Sequence, residues 1–376
     1  MESTLHSKSS VFDGLTEPAR PVFVKSVDTQ EQRVPAILPR RAGENSVALA
    51  MAYETPNVPD NPITSTVVQS VMHSGKPLGV LESSWRTEHG KLVFSASRTN
   101  GTVEISVPDT TEHRAVLEKS DTLLDTFGLC CMAGCQAVQV NEPVVLHMSE
   151  LLSAKGFSGY GEARKRIADK IAQDILFLGA MFVRVQDLPQ LSEGKKKKII
   201  FVRTFSGQFM ECARLDVDSP KYYDTYWSMR FGLWANHYLN PDEFYWFSRL
   251  PKEILQWDYR VSRPKELIGK KLGYAFVGFS EGSSKKPREM RRRVGSVLQA
   301  IGELPVPEHR GKNWGKLVRQ RFENGLGLLE DQGIVAEHKY TDTAFVEASR
   351  YYMAPWLNSN LVINLNPSLR STDNGK

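Results

Sequence analysis

No stretch of this chain comes near the roughly 18 consecutive apolar residues that a membrane-crossing helix requires, so no transmembrane segment is expected. Met1–Ser10 is polar, carries one Lys and has no apolar centre of the kind a secretory leader needs. Cysteine is scarce. The four that occur in 376 residues form no disulfide framework, and without a leader reduced thiols are expected. Catalytic signatures are missing too: there is no Walker A sequence, no GxSxG elbow and no HExxH pair. The eight His (His6, His73, His89, His113, His147, His237, His309 and His338) include no HxH pair to hold the metal of a nicking enzyme. The Tyr222-Tyr223 and Tyr351-Tyr352 pairs therefore read as packing residues, and Asp216/Asp218 as a solvated turn. No cofactor or metal site is expected, and no enzymatic activity. What remains is ordinary globular material, 41% hydrophobic and 24% charged, long enough for two or three domains.

A surplus of charge is also missing at first sight, with 48 Lys+Arg against 43 Asp+Glu and a net charge of +5. Split by segment, the balance changes. Residues 155–205 carry +6 and residues 285–321 carry +8, while the rest of the chain sums to −9. One charge run is usually a solvated face. Two such runs in similar local settings are the electrostatic footprint of a polyanion, nucleic acid first and an anionic membrane second.

Residues 1–65 are polar and Pro-rich (Pro18, Pro21, Pro35, Pro39, Pro56, Pro59, Pro62) and read as a flexible arm. Residues 91–107 alternate apolar and polar around Asn100-Gly101, a hairpin pattern. A helix is expected over Glu112–Gly128, with Val116, Leu117, Leu123, Leu124 and Phe127 on one face. The following CCMAGC lacks a second ligand pair, so Cys130, Cys131 and Cys135 read as core residues rather than a thiolate metal site. Val144–His147 is extended and Met148–Lys155 a short helix. Ser158 is a candidate cap for a long helix over Tyr160–Leu178. Ile167, Ala168, Ile171, Ala172, Ile175 and Leu178 form its stripe, Arg164, Lys165, Arg166 and Lys170 lie in its first half, and Gly179 suits its stop. Ala180–Val185 then reads as a strand, Asp187–Gly194 as a turn and Lys198–Thr204 as a returning strand. Helix, tight connection, helix and hairpin is the order of a winged helix. In such folds the second helix enters the major groove and the hairpin tip, here Lys195, Lys196, Lys197 and Lys198, touches phosphate.

The pattern recurs. Residues 285–301 are helical in period and include Arg291 and Arg292. Residues 310–333 follow with Arg310, Lys312, Asn313 as a cap, Lys316, Arg319 and Gln320, and a stripe of Leu317, Val318, Phe322, Leu326 and Leu329. Ile334–Tyr340 is a strand, with Leu361–Leu365 as its partner. Gly161 to Gly179 and Gly315 to Gly333 both span eighteen positions, which aligns the two long helices without a gap. Between them, residues 222–259 hold thirteen of the 36 aromatic residues. These could stack on single-stranded bases, but the block is not basic, which favours core and inter-domain packing.

The segments FGLWANHYLNPDEFYWFSRLPKEILQWD (231–258), LVRQRFENGLGLLEDQGIV and WLNSNLVINLNP (356–367) follow in an order that resembles bacterial plasmid replication initiators of the tandem winged-helix type. The likeness covers about residues 110–367 and rests on element order. It implies an α+β fold with two winged-helix domains in tandem, at 91–215 and 216–370, behind a flexible arm at 1–90. It implies a sequence-specific double-stranded DNA-binding protein that binds origin repeats, self-associates as a dimer, recruits host replication proteins and resides in the bacterial cytoplasm. Base or groove contacts would fall on Arg164, Lys165 and Lys170 and on Lys316, Arg319 and Gln320, and phosphate contacts on Lys195 to Lys198. A transcriptional regulator with the same domains and a nicking nuclease or relaxase are the alternatives.

Overall fold

The computed structural model describes residues 57–74, 84–98, 101–135, 142–157, 161–191, 199–215, 225–238, 247–257, 263–278, 289–341 and 353–366. The Pro-rich stretch before residue 57, Ser158, the Lys195–Lys198 run, Asp216/Asp218 and the two Tyr pairs lie outside the described residues.

The first described elements are β1 (Asn57–Pro59) and α1 (Pro62–Met72). Asn61 starts the helix: its side chain accepts from the amides of Ile63 (3.0 Å) and Thr64 (3.1 Å), while Thr64 Oγ1 accepts from the Asn61 amide. Pro62 at the first turn gives up no helical hydrogen bond. Ile63, Val67, Val68, Val71 and Met72 are buried, and so are Thr64, Thr66 and Ser70. Those three hydroxyls donate to the carbonyls of Pro59, Pro62 and Val67. A Ser/Thr-rich helix can therefore be buried on nearly every side, because its polar groups are satisfied on nearby backbone. Residues 57–74, expected in a flexible arm, therefore pack into the core, whereas the short strand Arg86–Glu88 is mostly exposed at the edge of its sheet.

The Asn-Gly pattern does form a hairpin. β3 (Lys91–Arg98) pairs with β4 (Gly101–Pro108), from Lys91↔Pro108 to Arg98↔Gly101. With β2 (Arg86–Glu88), β6 (Phe182–Leu191) and β7 (Ile199–Gln208) they make an antiparallel sheet of order β2-β3-β4-β6-β7. The helix expected over Glu112–Gly128 is broken into α2 (Thr111–Lys119) and α3 (Leu123–Gly134). Ser120 Oγ accepts from the amides of Thr122 and Leu123, and that local bonding competes with a continuous helix.

Two stretches then follow one plan. The first runs α3, β5 (Val144–His147), α4 (Met148–Ala154), α5 (Glu162–Ala180), then β8 (Met210–Arg214) and β9 (Tyr226–Phe231), with sheet order β5-β9-β8. The β6–β7 hairpin is inserted between α5 and β8. After α6 (Ala235–Tyr238), β10 (Phe247–Arg249), which pairs with β1, and α7 (Lys252–Gln256), the second stretch begins. It runs α8 (Pro264–Gly273), β11 (Glu289–Arg293), α9 (Val294–Ala300), α10 (Trp314–Asp331), β12 (Val335–Tyr340), α11 (Met353–Asn358) and β13 (Asn360–Leu365), with sheet order β11-β13-β12. In both, the last strand lies between the other two.

Three sequence expectations change. The hairpin straight after the first long helix does not complete the sheet of that repeat; it extends the β2–β4 sheet, and β8–β9 takes its place. Residues 289–293 form an edge strand rather than the start of a helix: Val294, Val297 and Leu298 are the buried face of α9, and Met290 falls in step with them only by coincidence. The four aligned glycines are also not equivalent. Gly333 has φ +63 and ends α10, with its amide on Glu330 O (2.8 Å) and the Ile334 amide on Leu329 O (2.8 Å). Gly179 is helical and faces Cys212, where a Cβ would come within 3.2 Å of the Cys212 Cβ. Gly161 (φ +115) precedes α5, and Gly315 sits inside α10 against Met353.

The aromatic block packs where it is described. Trp227, Phe231 and Trp234 are buried, and Trp234 stacks on Phe209 with ring centroids 5.4 Å apart. Cys130 and Cys131 are likewise buried on α3, and burial pushes their thiols well up. No helix of the described residues is long and apolar enough to cross a membrane.

Candidate nucleic-acid interface

The two long helices carry the candidate contacts, and what each presents depends on which residues its sheet and neighbours absorb. On α10, Val318, Phe322, Gly325, Leu326 and Leu329 face the core. The acidic residues are drawn to one flank. Glu323 accepts from Tyr340 Oη (2.7 Å), and Glu330 Oε1 meets both the His338 amide (3.0 Å) and its ring Nδ1 (2.7 Å). Arg319 Nε lies 4.0 Å from Glu323, four residues on. With these carboxylates bonded to β12, the outer face exposes Lys316, Gln320 and Asn324 at successive helical turns, together with Leu317, 46% exposed. Glu323, bonded to Tyr340, borders this face three residues from Gln320, and Asp331 closes it. Lys312 and Asn313 are exposed just ahead of it. Arg310 sits over the Trp314 ring (4.8 Å) and donates to Pro305 O (3.0 Å), which fixes the entry to the helix.

The same repeat carries a second basic feature. Arg291, Arg292 and Arg293 are all exposed on strand β11, which among the described residues pairs with β13 alone. Arg293 and Asn324 are not among the contacts expected from the sequence, and Leu317, expected in the apolar stripe, faces outward instead. Asn324 follows from extending Lys316 and Gln320 by one more helical turn.

On α5 the candidates are dispersed. Arg164 Nη1 donates to Phe157 O (2.8 Å) and closes the α4–α5 connection. Lys165 is exposed among Glu162, Asp169 and Gln173. Arg166 and Lys170 lie one turn apart on a different edge, in a cleft shared with Leu255 and Trp257, and Lys170 is paired with Asp121 (2.8 Å). The helix is anchored from below by Asp174. Its buried carboxylate accepts from the hydroxyls of Ser120 (2.8 Å), Thr122 and Thr126 (3.1 Å), and burial pushes it up to about 6 in spite of them.

A buried ionic node joins the repeats. Asp125 on α3 accepts from Lys270 Nζ on α8, 2.8 Å to each oxygen, and pairs with Lys155 from the end of α4. Lys270 also donates to Leu255 O (3.2 Å). Both lysines and the aspartate are nearly inaccessible, so each charge depends on the others.

No protein-family model matches the chain, and no curated protein matches it. Among solved structures, it is similar to a selenomethionine derivative of domains 2 and 3 of RctB, at 11% identity and a TM-score of 0.40, over 79% of this chain and 98% of that one. It is also similar to a second structure of RctB domains 2–3, at 12% identity and a TM-score of 0.36, over 80% and 97%.

Proposed function

We propose that this chain is a sequence-specific double-stranded DNA-binding protein with two winged-helix reading heads, acting as a plasmid-type replication initiator at origin repeats. The observation that carries the reading is the outer flank of α10. Lys316, Gln320 and Asn324 stand exposed with Leu317 on a face whose bordering carboxylate, Glu323, is bonded to Tyr340. Those side chains suit base edges: Lys toward guanine acceptors, Gln and Asn toward adenine, and an apolar group toward the thymine methyl. Lys312 and the Arg291–Arg293 strand supply cations for backbone phosphate. The recurring helix–strand–helix–helix–strand–strand order, with the last strand central and the short α11 added before it in the second repeat, supports the winged-helix assignment for both repeats.

The initiator role goes further and draws on the likeness of element order to plasmid replication initiators. With it come a bacterial cytoplasmic location, self-association as a dimer and host replication proteins as partners. The role is one of binding rather than catalysis. Nuclease protection by the purified protein on the DNA flanking its own gene tests the reading. Protection of a repeated series of short sites is expected. Uniform weak protection at all sequences would remove the specific reader, and a lone site overlapping a promoter would replace the initiator with a transcriptional regulator.

A further inference from the structure

The cleft beside α5 has features that duplex binding does not use. It encloses about 600 Å³, within the range of small-molecule sites and too small to admit a duplex. One wall is the α5 edge with Arg166 and Lys170; the other is Leu255 and Trp257, at the end of α7 and just beyond it; Phe157 closes the α4 side. Trp257 is half-buried, and its indole is braced on α8, where a Cβ at Gly269 would come 3.4 Å from its Cζ3. The two carboxylates in the cleft are already committed, Asp121 to Lys170 and Asp125 to Lys155 and Lys270. Arg166 is exposed and forms no ion pair among the described residues. A braced aromatic side chain and an exposed guanidinium lining one cleft, with the Asp121-paired Lys170 one helical turn from the guanidinium, match a planar base joined to a phosphate.

We propose that this cleft binds one nucleotide unit, its base stacked on Trp257 and its phosphate held by Arg166, with Lys170, which keeps its Asp121 partner, beside it. The unit is either a free nucleotide or one residue of a single strand. The proposal does not rest on duplex reading by α10, and its test leaves that reading untouched.

The test is calorimetric titration of the full chain with dAMP, dTMP, ATP, inorganic phosphate and a short oligothymidylate. Saturable binding of a nucleotide or of the oligomer is expected, with phosphate alone far weaker. Trp257→Leu should weaken it by about tenfold or more, and Trp257→Phe, which keeps a stacking ring, by no more than about threefold. Binding of mononucleotides identifies a free ligand, and binding of the oligomer alone identifies a strand. Should Trp257→Leu fail to fold, Arg166→Glu on the exposed wall replaces it, with loss of binding expected. Absence of saturable binding up to about 5 mM, equal binding of phosphate alone, or binding unchanged in Trp257→Leu or Arg166→Glu would each overturn the proposal.

Discussion

The two repeats share one plan and differ in what their long helices offer to solvent. On α10 the acids are held by Tyr340 and His338, so the outer flank is left to Lys316, Leu317, Gln320 and Asn324. On α5 the basic residues are split between a backbone carbonyl, a mixed outer face and a cleft, and a buried carboxylate lies beneath them. A shared topology therefore does not imply a shared task. The second repeat leaves an open polar face on its long helix, and the first is tied to its surroundings by polar groups.

The strongest way to break this comparison is at the node both repeats share. Asp125→Ala strips the carboxylate from two buried ammoniums and should lower stability by about 3–5 kcal/mol in urea unfolding. A loss below about 1 kcal/mol would mean the node does not couple the repeats. Next in size is a pH effect confined to the first repeat. Folded Asp174 holds its proton up to about pH 6, whereas the unfolded chain releases it near 3.8. The neutral acid's contribution is therefore complete below pH 3.8 and is lost as pH rises through 6, on the order of 2–3 kcal/mol. Stability of the wild type relative to Asp174→Asn should fall across that window, and a flat difference would discard the effect.

The candidate contact residues come third. Lys316→Ala and Gln320→Ala should each weaken specific DNA binding by about 1–3 kcal/mol and relax preference at one position. Lys165→Ala, among acids on α5, should cost less than about 1 kcal/mol at every sequence alike. Equal and position-specific losses from both helices would erase the distinction drawn above. The smallest effect is expected from changing Lys195 to Lys198 together to Ala: a flatter salt dependence, by roughly 0.9 for each phosphate no longer neutralised, with sequence preference unchanged. An unaltered slope would remove that run from the interface.

Much of this arrangement is written in local patterns. The 91–108 hairpin, the short helix before α5 and both long helices follow from alternation, apolar stripes and turn residues. What local pattern misses is pairing partners. Nothing near residues 289–293 announces a strand, because its partner is Asn360–Leu365, and Met290 mimics the first step of a helical stripe. The β8–β9 pair goes unseen because the β6–β7 hairpin satisfies the same expectation earlier in the chain. α1 is hidden by its Ser and Thr content, since a sequence does not reveal that those hydroxyls bond to carbonyls three to five residues back. Among the candidate contacts, residue type and helix were legible. The separation of α10 from α5 was not, because it depends on which acids the neighbouring strand draws aside.

The pairing of Asn57 with Arg249 has a consequence for how the chain is made. The two strands lie roughly 190 residues apart, and synthesis runs at about 5–20 residues per second, so β1 leaves the ribosome some 10–40 seconds before its partner exists. During that interval α1, destined for burial on nearly every side, gains its cover piecemeal, from β3 and β4 first, then α3 and then β6. The molecule thus passes through an early stage in synthesis when one of its buried helices is half-covered. Slowing translation between Met72 and Phe247 would lengthen that stage and raise the share of chains that aggregate.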